Sequence, residues 1–223
     1  FWWSISSTAI NACFPSLRVW TGWVGGFGAR VQLFGVILAG GKARRMGGAD
    51  KGLILFDGNP LIEHVIKAFE PQVGNLLINA NRNYEIYKNY GFDIIRDELE
   101  DYCGPLAGMA CTLNKTNTPY LVTVPCDTPF ISDNLVASLS SSILNEKAEI
   151  SVAHNGDRLQ PVFCMMKKTM IRSINDYLQK GGRKIDQWFE QHSVAIVDLS
   201  SNPECFKNVN SKEDIAILEE NNE

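Results

Sequence analysis

The sequence predicts a single three-layer α/β domain with a mostly parallel central sheet. From Leu33 onward, short apolar runs rich in β-branched residues alternate with stretches of helical periodicity, a pattern typical of βαβ units. The 223 residues, 45% of them hydrophobic and 21% charged, are enough to bury the core of one such domain. Polar or glycine-rich segments directly follow several of the predicted strands, as they do at the ligand-binding edge of open parallel sheets.

The first predicted strand, residues 33–39, is apolar on both faces, as expected of a central parallel strand. A turn at residues 57–59 precedes a helix at 61–69, because Pro60 is tolerated where a helix begins. A second turn, at residues 155–157, joins two strands as a hairpin. The later strands are expected at 75–79, 92–95, 120–124, 149–153, 161–166 and 194–198, and the later helices at 84–90, 105–113, 133–144, 169–179, 184–191 and 211–220.

Residues 1–32 differ from the rest of the chain. They hold four of the five tryptophans and only two charged residues, Arg18 and Arg30, without a helical or strand period. The basic start and continuous apolar stretch of a secretory signal are also not evident there. We therefore expect residues 1–32 to be an irregular extension, disordered or foreign to the fold, and residues 33–223 to form the functional domain.

Composition excludes several classes of function. A net charge of −4 and a pI near 5.5 argue against a general nucleic-acid binder, because such proteins cluster an excess of basic residues. No apolar stretch approaches the roughly 20 residues that a membrane-spanning helix needs. The six cysteines form no C-x-x-C pair, so neither a zinc ribbon nor a redox motif is indicated. We expect a cytoplasmic protein.

The segment after the first strand, residues 38–51, has the composition of a phosphate-binding loop. Its glycines are Gly40, Gly41, Gly47 and Gly48. Glycine lets backbone N–H groups approach phosphate oxygens closely, and Arg44, Arg45 and Lys51 supply positive charge. The spacing matches neither the Walker A pattern nor G-x-G-x-x-G. A flexible turn carrying a solvated basic cluster is the alternative interpretation.

Three polar residues follow three other predicted strands. Asn79 ends one strand and could contact a base or ribose, or only complete a turn. Asp97 comes just after the next strand, where carboxylates are common. Asp127 follows Pro125 and Cys126, at a position suited to a hard divalent cation that bridges phosphates, or to capping the next helix. Because parallel strands end at one edge, we expect these side chains to converge on the glycine-rich loop.

Weaker candidates lie elsewhere. The segment 104–108 could bring a helix start toward an anion, or be an ordinary turn into a helix. Arg183 and Lys184 follow two glycines and could form a second anion site, or flank a helix end. Asn208 and Asn210 could reach a metal or acceptor, or only cap a helix. The three histidines are far apart in sequence and are expected to be structural or surface residues.

These motifs together resemble the molybdenum cofactor guanylyltransferases, within a larger nucleotidyltransferase superfamily. The superfamily loop corresponds to residues 38–51, and Asn-Ala-Asn-Arg at 79–82 and Pro-Cys-Asp-Thr-Pro at 125–129 favour this branch. The family's order is also kept by Asp97, by the segment 104–108 and by three later segments at 160–162, 182–184 and 208–210. The resemblance extends from about Leu33 to Leu218, and thus covers nearly all of the chain apart from the N-terminal extension.

The resemblance implies a Rossmann-like nucleotidyltransferase fold, with GTP and molybdopterin as substrates and Mg²⁺ as cofactor. It implies that the backbone of Leu38, Ala39 and Gly40 faces guanine and that Asn79 and Asp97 contact the nucleoside. Gly41 is also expected to bind the nucleotide. Lys51 and Arg45 would neutralise phosphate charge, and Asp127 would bind the metal. Arg183, Lys184, Asn208 and Asn210 are the residues expected to contact the acceptor.

Other functions remain open at the level of sequence. A cytidylyltransferase acting on the same pterin and a sugar-1-phosphate nucleotidyltransferase would use a similar loop. A nucleotide-binding module without turnover is the alternative from another class, although it would not need the carboxylate of Asp127. We expect a monomer that contacts other molybdenum cofactor biosynthesis proteins only transiently.

Overall fold

The computed structural model of the protein describes residues 33–41, 50–97, 104–209 and 214. The expected extension at 1–32 lies outside the described residues. So does most of the last predicted helix, at 211–220, of which only Asp214 is described, as helical.

Strands and helices alternate along the described chain. The strands are β1 (Leu33–Leu38), β2 (Leu55–Phe56), β3 (Asn59–Pro60), β4 (Asn75–Asn79), β5 (Asp93–Ile95), β6 (Tyr120–Pro125), β7 (Ile150–His154), β8 (Leu159–Lys167) and β9 (Val194–Asp198). The α-helices are α1 (Leu61–Phe69), α2 (Tyr84–Lys88), α3 (Pro105–Lys115), α4 (Leu135–Asn145), α5 (Ile171–Gln179) and α6 (Ile185–Phe189).

Seven strands form one sheet in the order β5-β4-β1-β6-β8-β7-β9. Strands β5, β4, β1 and β6 are parallel neighbours, and β7 is parallel to β9. Strand β8 runs antiparallel to both β6 and β7. The predicted mostly parallel α/β domain is therefore confirmed.

Both faces of the sheet are covered, which makes the domain three-layered. Neighbouring residues of β1 illustrate this: Ile37 belongs to one buried cluster and Val36 to another, because successive strand side chains point to opposite faces. The cluster around Ile37 includes side chains from α1, α2 and α4, whereas the cluster around Val36 includes side chains from α3, α5 and α6. Apolar runs on both faces are what such burial requires.

The sequence did not predict a pairing of β2 with β3, but it did predict the hairpin of β7 and β8. Strands β2 and β3 form a separate two-residue hairpin, closed by Asp57 and Gly58, which both have positive φ. Strands this short show no alternation in the sequence, so only the turn could be recognised. The direction of β8 within the sheet follows from the predicted turn at 155–157, because so short a connection can join only antiparallel strands.

None of the helices in the described part of the chain combines the length and apolarity that crossing a bilayer would require.

Candidate active site

The carboxyl ends of β5, β4, β1 and β6 meet at one edge of the sheet. Backbone hydrogen bonds continue one residue past the strands: Ala39 N donates to Asn79 O (2.8 Å) and Ala80 N donates to Ile95 O (2.9 Å). Cys126 N likewise donates to Leu38 O (3.2 Å). The loops that follow these strands therefore start side by side, as the strand-end argument predicts.

Asp97 lies between two asparagine side chains at this edge. Asn79 Nδ2 donates to Asp97 Oδ1 at 2.9 Å, and Asn81 Nδ2 donates to Asp97 Oδ2 at 2.7 Å. The backbone N–H of Asp97 donates in return to Asn81 Oδ1 at 2.9 Å. Asn81 Nδ2 also lies 3.4 Å from the carbonyl oxygen of Gly40. The cluster thus fixes a carboxylate next to the start of the glycine-rich loop, where it can accept hydrogen bonds from a ligand.

Helix α3 closes the site from one face of the sheet, and Gly108 permits the close contact. A Cβ at Gly108 would collide with the side-chain oxygen Asn79 Oδ1 and would lie 2.9 Å from Leu38 Cδ2. Since Asn79 is only 2% exposed and also bonded to Asp97, it cannot easily retreat. Because residue 108 has no side chain, the side chain of Asn79 can occupy its position between α3 and β1.

Lys51 and Asp127 form an ion pair across the edge. Lys51 Nζ lies 2.8 Å from Asp127 Oδ2, and the two side chains are 28% and 10% exposed. Asp127 follows β6, whereas Lys51, the last residue of the glycine-rich loop, begins a short 3-10 helix, Lys51–Leu53. A cation and an anion are thus held together at the edge where a nucleotide's phosphates are expected.

Beside this pair, Cys126 is buried. Burial raises the pKa of its thiol well above the ordinary value, and the carboxylates of Asp127 and Asp50 raise it further. The thiol therefore stays protonated near neutral pH and is unsuited to nucleophilic attack. The other cysteines in the described ranges, Cys111, Cys164 and Cys205, are buried as well.

The expected acceptor residues lie at two places around the same edge. Gly104 caps the start of α3. A Cβ added to Gly104 would lie 3.8 Å from the carbonyl oxygen of Arg183, so the backbone of Arg183 borders the start of this helix. Arg183 and Lys184 are both exposed there. On the other side, Val209 N donates to the carbonyl oxygen of Asp127 at 2.9 Å, which brings the exposed Asn208 close to the ion pair.

Two of the predicted site residues are not among those that the structure describes. Arg45 and the rest of residues 42–49 lie outside the described residues, as does Asn210. Of the predicted site, the structure brings Gly40, Asn79 and Asp97 into one cluster, and Lys51 and Asp127 into one ion pair.

Four residues that sequence reasoning did not single out also belong to this edge: Asn81, Asp50, Asn83 and Tyr87. The Asp50 carboxylate is buried and accepts hydrogen bonds from Tyr87 and Asn83. Asn81 and Asp50 stand inside the quoted motifs, so the motifs themselves were the available signal. Tyr87 had none, because its partner Asp50 lies 37 residues away in the sequence.

The fold of this chain recurs in solved structures of other proteins. A solved structure of the molybdopterin-guanine dinucleotide biosynthesis protein A from Archaeoglobus fulgidus superimposes with a TM-score of 0.71. The match covers 85% of this chain and 97% of that one, at 21% sequence identity. At that identity the likeness shows a shared fold.

Sequence comparison then defines the family. The model of the MobA-like NTP transferase domain matches residues 35–195, and the chain belongs to this family. A molybdenum cofactor guanylyltransferase from Shewanella halifaxensis is 44% identical over 182 residues, which cover 82% of this chain and 91% of the relative. Another from Acidovorax sp. is 43% identical over 201 residues, covering 84% and 95%. The resemblance seen in the motifs is confirmed.

Proposed function

We propose that the chain transfers GMP from GTP to molybdenum-bearing molybdopterin, which yields the molybdopterin guanine dinucleotide cofactor and pyrophosphate. The observation that carries the proposal is the convergence of the Asn79–Asp97 cluster and the Lys51–Asp127 pair on adjacent strand ends. Relatives named molybdenum cofactor guanylyltransferase, about 44% identical over most of the chain, support GTP as the donor.

The nucleoside would occupy the part of the edge between β1 and β5. There the backbone of Leu38, Ala39 and Gly40 borders the polar cluster that contains Asn79 and Asp97. A carboxylate held by two amides is a suitable acceptor for the N–H groups of a purine or the hydroxyl groups of a ribose. Gly41 continues from there into the glycine-rich loop.

The triphosphate would lie along the loop toward Lys51, with Mg²⁺ at Asp127. Protein sites bind Mg²⁺ through one or two carboxylates together with substrate phosphates, rather than through a complete cage of side chains. A single buried carboxylate beside the expected phosphates fits that donor set. Within the described ranges, no group of three or more His, Cys, Asp or Glu residues could hold a metal ion. When bound, Mg²⁺ would neutralise negative charge on the phosphates.

The reaction needs no covalent intermediate on the protein. An oxygen of the terminal phosphate of molybdopterin attacks the α-phosphorus of GTP, a new P–O bond forms, and the bond to the β-phosphate oxygen breaks. Pyrophosphate leaves with the bonding electrons. Because the attacking phosphate is already ionised near neutral pH, no general base is required. The chain's contribution is to hold the two phosphates in line and to stabilise charge through Lys51 and, from the loop, Arg45.

The acceptor would enter from the side where the segment 183–184 borders the start of α3. Arg183 and Lys184 could there attract its phosphate, while Asn208 approaches from the side of Asp127. A contact of Asn210 with the acceptor stays a prediction of the sequence. A monomeric state and a cytoplasmic location stay predictions of the sequence.

The test is pyrophosphate release with purified chain, Mg²⁺ and molybdenum-bearing molybdopterin, comparing GTP, CTP and UTP. We expect release that depends on the pterin and is fastest with GTP. A parallel thermal-shift measurement with each nucleotide separates binding from turnover. Preference for CTP or UTP would replace the proposed donor, and binding of GTP without release would show a module without turnover.

A further inference from the structure

Asp50 is held in place by groups from the β4–α2 region of the chain. Its side chain is 3% exposed, and its Oδ1 accepts a hydrogen bond from Tyr87 Oη at 2.6 Å. Its Oδ2 accepts one from Asn83 Nδ2 at 3.0 Å and lies 3.5 Å from Arg82 Nε. A buried carboxylate held in this way has little freedom to move, and neither does the backbone that carries it.

The same phenol also limits the position of Gly52. A Cβ on Gly52 would lie 2.6 Å from Tyr87 Oη, so the backbone of residue 52 passes directly against the hydroxyl group. Tyr87 itself is completely buried in the core cluster that includes Ile37. The residues on either side of Lys51 are therefore both fixed against one rigid side chain.

The local backbone carries this constraint to Lys51. Leu53 N donates to Asp50 O at 3.1 Å and Ile54 N donates to Lys51 O at 3.2 Å, so residues 50–54 form a tight turn. Burial raises the pKa of the Tyr87 phenol, with contributions from Cys126 and Asp50, so the hydroxyl remains a donor at neutral pH. Tyr87 thus holds the turn in place through Asp50 and Gly52, while the Lys51 ammonium group pairs with Asp127.

We propose that Tyr87 is a positioning residue for nucleotide binding, which fixes Asp50 and Gly52 so that Lys51 is presented to the triphosphate beside Asp127. Tyr87 acts through Lys51 and does not itself touch the nucleotide. The identity of that nucleotide rests on the proposed function. The positioning role goes beyond it, because none of the family motifs used above includes residue 87.

The test is a double-mutant cycle on nucleotide affinity. Tyr87→Phe keeps the ring in the core and removes the hydroxyl group that bonds Asp50. We expect about tenfold weaker binding of the Mg²⁺ nucleotide by calorimetry, in the range of coupling between contacting residues. In the Lys51→Ala background, the same substitution should change affinity by less than about twofold, because the group that Tyr87 positions is already gone. KM for the nucleotide should rise more than kcat falls.

Tyr90→Phe is the matched control. Tyr90 lies close by, with its ring centre 6.5 Å from that of Tyr87, but burial and the carboxylate of Glu63, rather than that of Asp50, raise the pKa of its phenol. We expect it to keep wild-type affinity. Equal loss in Tyr90→Phe, unchanged affinity in Tyr87→Phe, or equal effects of Tyr87→Phe with and without Lys51 would each overturn the positioning role.

The choice of nucleotide keeps this test independent of the proposed function. The cycle uses whichever of GTP, CTP and UTP the wild-type chain binds most tightly, so a different donor or a lack of turnover would refute only the proposed function. If Tyr87→Phe fails to fold, Asn83→Gly removes the second donor to Asp50 from an exposed position, and glycine tolerates the positive φ of residue 83. The same dependence on Lys51 is then expected, and additive effects would count against the inference.

Discussion

The two edges of the central sheet both carry networks of polar side chains, but among the described residues only the network at the carboxyl edge borders a glycine-rich loop. At the carboxyl edge, Asp97, Asn79 and Asn81 surround the start of a glycine-rich loop. At the amino edge, near the first residues of β7 and β9, Trp188 Nε1 donates to Ser173 Oγ at 3.1 Å. Ser173 Oγ lies 2.7 Å from His192 Nε2, and His192 Nδ1 lies 3.4 Å from Glu149 Oε2.

The amino-edge network shows that suitable residue types do not by themselves make an active site. Serine, histidine and glutamate are the types found in hydrolase triads. Here the serine oxygen already accepts a hydrogen bond from Trp188, and the tryptophan and histidine rings are in edge contact at 5.0 Å. This network joins α5, α6 and the start of β9. The carboxyl edge differs because its polar groups meet where four strands end and where glycine lets backbone approach closely.

The largest expected effect is that of Asp127→Ala on turnover. Removing the carboxylate removes the proposed Mg²⁺ ligand and the partner of Lys51, so we expect kcat to fall by at least about 100-fold. Pyrophosphate release measures it, and circular dichroism should show an unchanged fold. Asp198→Ala is the control, since this exposed carboxylate also ends a strand, three positions away from β6 in the sheet. Full activity of Asp127→Ala at physiological Mg²⁺ would refute the metal assignment.

A smaller effect on the same edge is expected from Gly108→Ala. The added methyl group collides with Asn79, and such overpacking typically costs about 1–3 kcal/mol. If the nucleotide-binding position of Asn79 is disfavoured by a free energy of this size, nucleotide binding should weaken by roughly ten- to hundredfold. Calorimetric titration with the nucleotide measures the change. Wild-type affinity would mean that Asn79 can shift without consequence for the ligand.

At the opposite edge, Ser173→Ala should reduce stability and leave activity intact. The substitution leaves the Trp188 N–H group without its acceptor, and we expect the free energy of unfolding to fall by about 1–3 kcal/mol. Denaturant unfolding measures the loss, and kcat/KM should stay unchanged. Combining it with Trp188→Phe should cost less than the sum of the single changes, since the unpaired N–H group is then absent. A fall in kcat/KM of the properly folded variant would mean that the two edges are coupled.

The smallest expected effect concerns the sheet between the two edges. Burial raises the pKa of the Cys164 thiol on β8 to about 12, above its ordinary value of 9.0. The unfolded chain therefore loses this proton first, so the thiol's contribution to stability is complete below pH 9 and declines as pH rises toward 12. We expect Cys164→Ala to lose stability less steeply than wild type between pH 8 and 10, by at most about 1.4 kcal/mol per pH unit. Identical slopes in denaturant unfolding would contradict this.

The fold was largely predictable because its signals are local. Apolar runs bounded by turn residues located every strand of the large sheet, and turn composition identified the hairpin at residues 155–157. Helix ends shifted by a residue or more: the helix expected at 169–179 begins as a 3-10 turn, Lys168–Met170, and becomes α-helical only at Ile171. Strands β2 and β3 were missed because two residues carry no period.

The family, the order of elements and the polar residues that follow each strand were all predictable from the sequence. These are properties of neighbouring residues, which periodicity and motifs record. Which of those residues touch became visible in the fold. Lys51 meets Asp127 across 76 residues, and Tyr87 meets Asp50 across 37. The reason is physical: such hydrogen bonds depend on the order of strands in the sheet and on which face each helix covers. No local sequence pattern distinguishes Asp50, which accepts a hydrogen bond from the buried Tyr87, from the other aspartates in the chain.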